Sequence, residues 1–142
     1  MAKSAPPPCR KNRTAGRKEK TQSGRDKLRQ LHGDFGAQVL SELDDINPEL
    51  KKWIIEFGYG TVYESKKLDA RTRQITTVTA LICLGHLGRE FQSHVCAALK
   101  LGITKEEIVG IAEHCALYAG FPAALAATSA LKDIFKSQSK IG

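Results

Sequence analysis

The stretch GITKEEIVGIAEHCALYAGFPAA, residues 102–124, reads as one helix with both of its ends written into the residues. Thr104-Lys105-Glu106-Glu107 is a capping box: the Thr104 hydroxyl accepts from the Glu107 N–H, and the Glu107 carboxylate reaches back to Thr104. Ile108, Ile111, Ala112, Cys115 and Ala119 follow as one apolar stripe at helical spacing. Gly120-Phe121-Pro122 breaks the run, and an Ala-rich helix is expected from about Pro122 to Phe135. On the other side, Gly102 is a natural stop for a helix over about Arg89 to Leu101.

The same pattern continues toward the N-terminus. Asp69 can cap a helix running to about Leu84. Its β-branched run Ile75–Thr79 could pass for a strand, but its length and the lack of a hairpin partner favour helix. Asn47-Pro48-Glu49 is an N-cap, a proline at the first helical position and an acid in the first turn. Leu50, Trp53, Ile54 and Phe57 follow at helical spacing, and Gly58 and Gly60 are expected to end that helix. No internal repeat is present. The fold class expected is all-α, a compact bundle of about six helices.

With 142 residues the chain is one domain. Its formal charge of +7 is unevenly placed. Residues 1–29 hold ten Lys/Arg and two Asp/Glu, and residues 30–142 hold twelve and thirteen. The reading is a disordered basic tail over residues 1–23 and a helical domain over 24–142, because the tail lacks the apolar surface to offset its ordering entropy. The tail could contact nucleic acid or another polyanion, but it has no aromatic residue to stack on bases, and a solvated tail is favoured. The stretch Cys115 to Ala127 falls short of the roughly 20 apolar residues of a membrane span. The N-terminus has no apolar signal segment. Cys9, Cys83, Cys96 and Cys115 show no CxxC and no metal spacing, which fits reduced thiols in a cytoplasmic protein. Small residues crowd the last two helices, among them Ala112, Ala116, Ala123 and Ala127. A body this small with short helices has trouble hiding all its apolar surface alone, so a homo-oligomer is expected.

Three features could carry chemistry. Glu90 and His94 are i and i+4, so a carboxylate could orient the imidazole and raise its pKa. Spacing alone favours a surface ion pair instead. Glu107, His114 and Tyr118 share one stripe of the capped helix, where an interface or core histidine is as good a reading as a site. Arg73 lies one turn past the Asp69 cap, either as a fixed cation for a carboxylate or as a solvent-exposed first-turn residue. Cys96 reads as packing. There is no readable metal site, no phosphate loop and no dinucleotide fingerprint, so no cofactor is expected.

In this order NPELKKWIIEFGYGTVY (47–63), LDARTR (68–73), SHVCAALKLGITKEEI (93–108) and HCALYAGFPAA (114–124) resemble the carboxymuconolactone decarboxylase family. The resemblance covers about residues 24–135, and Gly33-Asp34 looks like the turn after the family's first helix. It implies an alkyl hydroperoxidase-like all-α fold in trimers or hexamers. The peroxidase branch of the superfamily carries CxxC, and the matching positions here are Leu87 and Glu90, which argues against thiol peroxidase activity. The decarboxylase branch is cofactor-free and converts 4-carboxymuconolactone to 3-oxoadipate enol-lactone in aromatic catabolism. By that resemblance His94 is the acid/base, Glu90 its partner and Arg73 the carboxylate or oxyanion clamp. Tyr118, His114 and Tyr63 are further substrate-binding candidates. Many members read HVR where this chain has His94-Val95-Cys96, and many carry Arg-Pro-Gly before the LD, where Lys66 stands as a partial replacement. These departures leave room for a related lactone, keto acid or polyketide-like acid. They also leave room for a non-enzymatic oligomeric binding protein.

Overall fold

The computed structural model describes residues 13–138. Among those residues stand six α-helices and one π-helical segment, in the order α1 (Arg13–Ser41), α2 (Pro48–Trp53), the π-helix (Ile54–Val62), α3 (Ala70–Leu84), α4 (Arg89–Lys100), α5 (Lys105–Ala119) and α6 (Phe121–Gln138). The all-α expectation holds, and the β-branched run of Ile75–Thr79 is helical, with Val78 fully buried.

The helix ends follow local chemistry. The Asn47 side chain accepts from the Leu50 N–H at 3.1 Å. Asp69 accepts from the Thr72 N–H at 2.8 Å and from its hydroxyl at 2.9 Å. Both halves of the Thr104/Glu107 capping box form, at 3.1 and 2.9 Å. Gly85 and Gly102 turn the chain at φ 74° and 80°, where a side chain would strain the backbone.

Two expectations change. Residues 1–12 of the anticipated tail lie outside the described residues, but residues 13–23 are the first turns of α1 rather than disordered chain. Tertiary contact holds them: Arg17 pairs with Glu56 at 3.3 Å, and the Thr21 hydroxyl donates to the same carboxylate at 2.9 Å. Gly58 and Gly60 do not end the second helix; it runs on through both as the π-helix. Their neighbourhood shows why. A Cβ on Gly60 would stand 2.4 Å from the Lys20 carbonyl oxygen, and one on Gly24 would stand 2.1 Å from that of Ile55. These glycines allow α1 and the π-helix to touch backbone to backbone.

The core has two parts. Val78, Ile82, Phe91, Val95, Ile108 and Leu131 fill the space between α3, α4, α5 and α6. Leu28, Leu31, Leu40, Ile55 and Tyr59 join α1 to the π-helix. Gly33, at φ 60° and ψ −151°, bends α1 and sets off its last stretch, residues 34–41. The residue before that bend, His32, is buried against α4 at the seam between the two cores.

Candidate active site

The seam carries a chain of polar side chains inside apolar packing. The Tyr59 hydroxyl lies 3.0 Å from Nε2 of His32. Nδ1 of His32 lies 2.9 Å from the Ser93 hydroxyl and 3.3 Å from the Ser93 carbonyl oxygen. With its proton on Nδ1, His32 donates to Ser93 and accepts from Tyr59 at Nε2; with the proton on Nε2, the Ser93 hydroxyl donates to Nδ1 and Tyr59 accepts, so either tautomer is satisfied. His94, one residue past Ser93, has Nδ1 3.0 Å from Oε1 of the buried Gln74 on α3. The two imidazoles meet edge to face. Burial pulls His32 from 6.5 to about 4, with the Ser93 carbonyl opposing and the Lys100 charge assisting. Burial, then the neighbouring His32, pulls His94 to about 3. Burial, with Tyr63 beside it, pushes the Tyr59 phenol up. Both histidines are therefore neutral at pH 7.

His94 opens onto a mouth of about 360 Å³ lined also by Trp53, Ile54, Phe57, Tyr59 and Tyr63. Tyr63 stacks on Tyr59, ring centroids 4.9 Å apart. It also walls a second, larger cleft of about 620 Å³. That cleft is cationic. Lys27, Lys66, Arg73 and Lys100 line it, with Glu64 and Asp69. Asp69 is engaged as the α3 cap, and Glu64 pairs with Lys27 at 3.3 Å. The Arg73 guanidinium donates to the Ser65 carbonyl at 3.1 Å and lies 5.4 Å over the Tyr63 ring. One aromatic ring thus separates a neutral histidine in an apolar mouth from a set of fixed cations.

The family model described as carboxymuconolactone decarboxylase matches residues 48–133, which include His94, Tyr63 and the Arg73 cleft wall. The chain belongs to the carboxymuconolactone decarboxylase family. It is 35% identical over 97 residues to a 4-carboxymuconolactone decarboxylase of Acinetobacter baylyi, covering 68% of this chain and 72% of the relative. It is 24% identical over 118 residues to an uncharacterised 15.0 kDa protein of Paracoccus denitrificans, covering 82% and 88%.

For this decarboxylase-family chain, the structure brings some of the anticipated residues together and not others. Arg73, Lys66 and Tyr63 share the cationic cleft. His94 reaches the adjoining mouth. Glu90 does not pair with His94: it is exposed, its carboxylate folds back beside its own Gly88, and the hydrogen bond from His94 goes to Gln74. The His94 pKa accordingly falls where a carboxylate partner would have raised it. His114 and Tyr118 contact each other, centroids 5.3 Å apart. They lie away from the mouth, His114 in a shallow cavity with Glu107, Ile75 and Thr79, and Tyr118 80% exposed.

Sequence reasoning missed His32, Tyr59 and Gln74, together with Lys27 and Lys100. Their signals were faint: His32 precedes the Gly33 bend, Tyr59 lies one turn before Tyr63, and Gln74 follows Thr72-Arg73 directly. Cys96 is half-buried, as expected of packing, and burial raises its thiol while Lys100 acts the other way. Cys83 and Cys115, distant in sequence, meet across α3 and α5; burial, then Cys83, pushes Cys115 up to about 11. That thiol is protonated at neutral pH and is a poor nucleophile. Among the described residues no group of three or more His, Cys, Asp or Glu could hold a metal ion, and no helix is long and apolar enough to cross a membrane.

Proposed function

We propose that this chain is a cofactor-independent carboxy-lyase for a small anionic lactone, 4-carboxymuconolactone or a related lactone or keto acid. The observation that carries the reading is the Tyr63 ring, which walls both the His94 mouth and the Arg73 cleft in a member of this family. The name of the Acinetobacter relative supplies the substrate class.

The chemistry has two demands. Loss of CO2 leaves an electron pair delocalised as a dienolate, and a proton must then reach carbon. Arg73, with Lys66 and Lys100 beside it, holds a carboxylate of the substrate and favours the developing negative charge. Trp53 and Phe57 wall the reacting end with apolar surface. His94 supplies the proton through Nε2, the ring nitrogen that Gln74 leaves open. The resting ring is neutral, so Nε2 takes up a proton from solvent through the mouth once the bound anion lifts its basicity. A ring with so low an intrinsic pKa then releases that proton readily to carbon.

Leu117, Tyr118, Phe121 and Leu125 on α5 and α6 are each more than 70% exposed. We place the contact between copies of the chain there, in a trimer or hexamer, with a cytoplasmic catabolic role and no membrane. The reading is tested by offering 4-carboxymuconolactone and smaller keto acids to the purified full chain and following CO2 and product by NMR. Release of one CO2 per enol-lactone supports it. A folded oligomer that turns over none of these acids overturns it.

A further inference from the structure

Nε2 of His94 has a role in the proposed reaction, whereas its other nitrogen is held by Gln74. Gln74 is 0% exposed and sits in the second turn of α3. Its Oε1 lies 3.0 Å from Nδ1 of His94. Its Nε2 has no hydrogen-bond partner among the described residues. Burying an amide with one half unsatisfied works against stability. The one bond this amide makes goes to a ring that lines the mouth.

We propose that Gln74 is a positioning residue that fixes His94 as its Nδ1–H tautomer, turning the Nε2 lone pair to the mouth without adding charge to the ring. A neutral imidazole has one N–H, and a carbonyl oxygen at Nδ1 decides where it sits. An amide does this and leaves the ring's basicity low. A carboxylate in the same place would hold the imidazolium and retain its proton. The titratable groups around the ring do not oppose this assignment. His32 faces it from α1, and Tyr59 and Tyr63 share the mouth from the π-helix end. On α3, Arg73 is turned to the Ser65 carbonyl and the Tyr63 ring. On α4, Glu90 is exposed and Lys100 lines the cleft. A glutamate at position 74 would therefore be the carboxylate that the ring touches.

The link from tautomer to proton delivery rests on the decarboxylase reading; the tautomer itself does not. The test is long-range 1H–15N correlation on the full chain labelled at histidine, with His94→Gln to assign the signal. The native protein should show the Nδ1–H tautomer at neutral pH. Gln74→Met should lose that preference. Gln74→Glu should raise the His94 midpoint by at least about one pH unit, a tenfold gain in proton affinity. The alkaline limb of kcat, where the ring loses the proton it delivers, should move up with it while KM changes little. An Nε2–H tautomer in the native protein, the amide then being reversed, overturns the proposal. So does an unmoved midpoint in Gln74→Glu. If neither variant folds, the native spectrum alone decides. Absent turnover with the stated tautomer would remove the decarboxylase reading and leave this one standing.

Discussion

The imidazole of His32 stands edge-on to that of His94, ring centroids 4.6 Å apart and planes at 86°. Each ring is held by different partners, Tyr59 and Ser93 for one and Gln74 for the other. A proton on either ring sits against its neighbour in a water-poor seam, so the pair stays neutral together.

The pair sets a pH dependence of stability. Both histidines have folded pKa values below 6.5, so below that pH the unfolded chain binds the protons more readily. Stability should be level above pH 6.5 and fall as pH drops toward about 4. For His32 the loss reaches up to about 3 kcal/mol. Urea midpoints across that range should decline in the native chain and decline less in His32→Gln. A level profile in the native chain contradicts the burial argument.

Tyr59→Phe removes the hydroxyl hydrogen-bonded to His32 Nε2 and leaves a buried ring nitrogen without its partner. The expected cost is about 1–3 kcal/mol, read by chemical unfolding. A change below about 0.5 kcal/mol would mean that the bond does not form in solution.

The contact between α1 and the π-helix predicts opposite outcomes for glycines. Gly24→Ala and Gly60→Ala place a Cβ 2.1 and 2.4 Å from carbonyl oxygens, on backbone that has no room to yield. Each should cost about 2 kcal/mol or more. Gly110→Ala meets nothing within 4 Å in the middle of α5 and should gain about 0.5–1 kcal/mol. Melting temperatures compare the three directly, and an unharmed Gly60→Ala would refute the close approach.

Arg73→Lys keeps the charge and loses the planar fork. It should lower kcat/KM for a carboxylated lactone by about tenfold or more, mostly through KM. Lys66→Ala should cost less, because Lys66 is exposed and Arg73 is held by the Ser65 carbonyl. Equal effects would move the anion site away from Arg73.

The helices were legible because their ends are local. Asn47, Asp69 and the Thr104/Glu107 box each act within four residues, and each forms as expected. Gly60 misled because its role is set by Lys20 on another helix, a partner that no local pattern reveals. The start of α1 escaped for the same reason: Arg17 and Thr21 are ordered by Glu56. At the site, His94, Arg73 and Tyr63 stood in recognisable motifs, whereas His32 and Gln74 gain meaning only when α1 and α3 close on α4. The family resemblance makes Glu90 the partner of His94, whereas its i, i+4 spacing alone favours a surface ion pair. In the fold the buried Gln74 offers His94 a bond shielded from water, while the Glu90 carboxylate lies exposed beside Gly88, and exposed ion pairs contribute little.

The most direct test is turnover of 4-carboxymuconolactone by the full chain with His94→Ala alongside, following CO2 and enol-lactone by NMR. Turnover by the native protein is expected, with a loss of at least about a hundredfold in the folded variant. A variant that keeps more than about a tenth of the native rate would contradict the role given to His94.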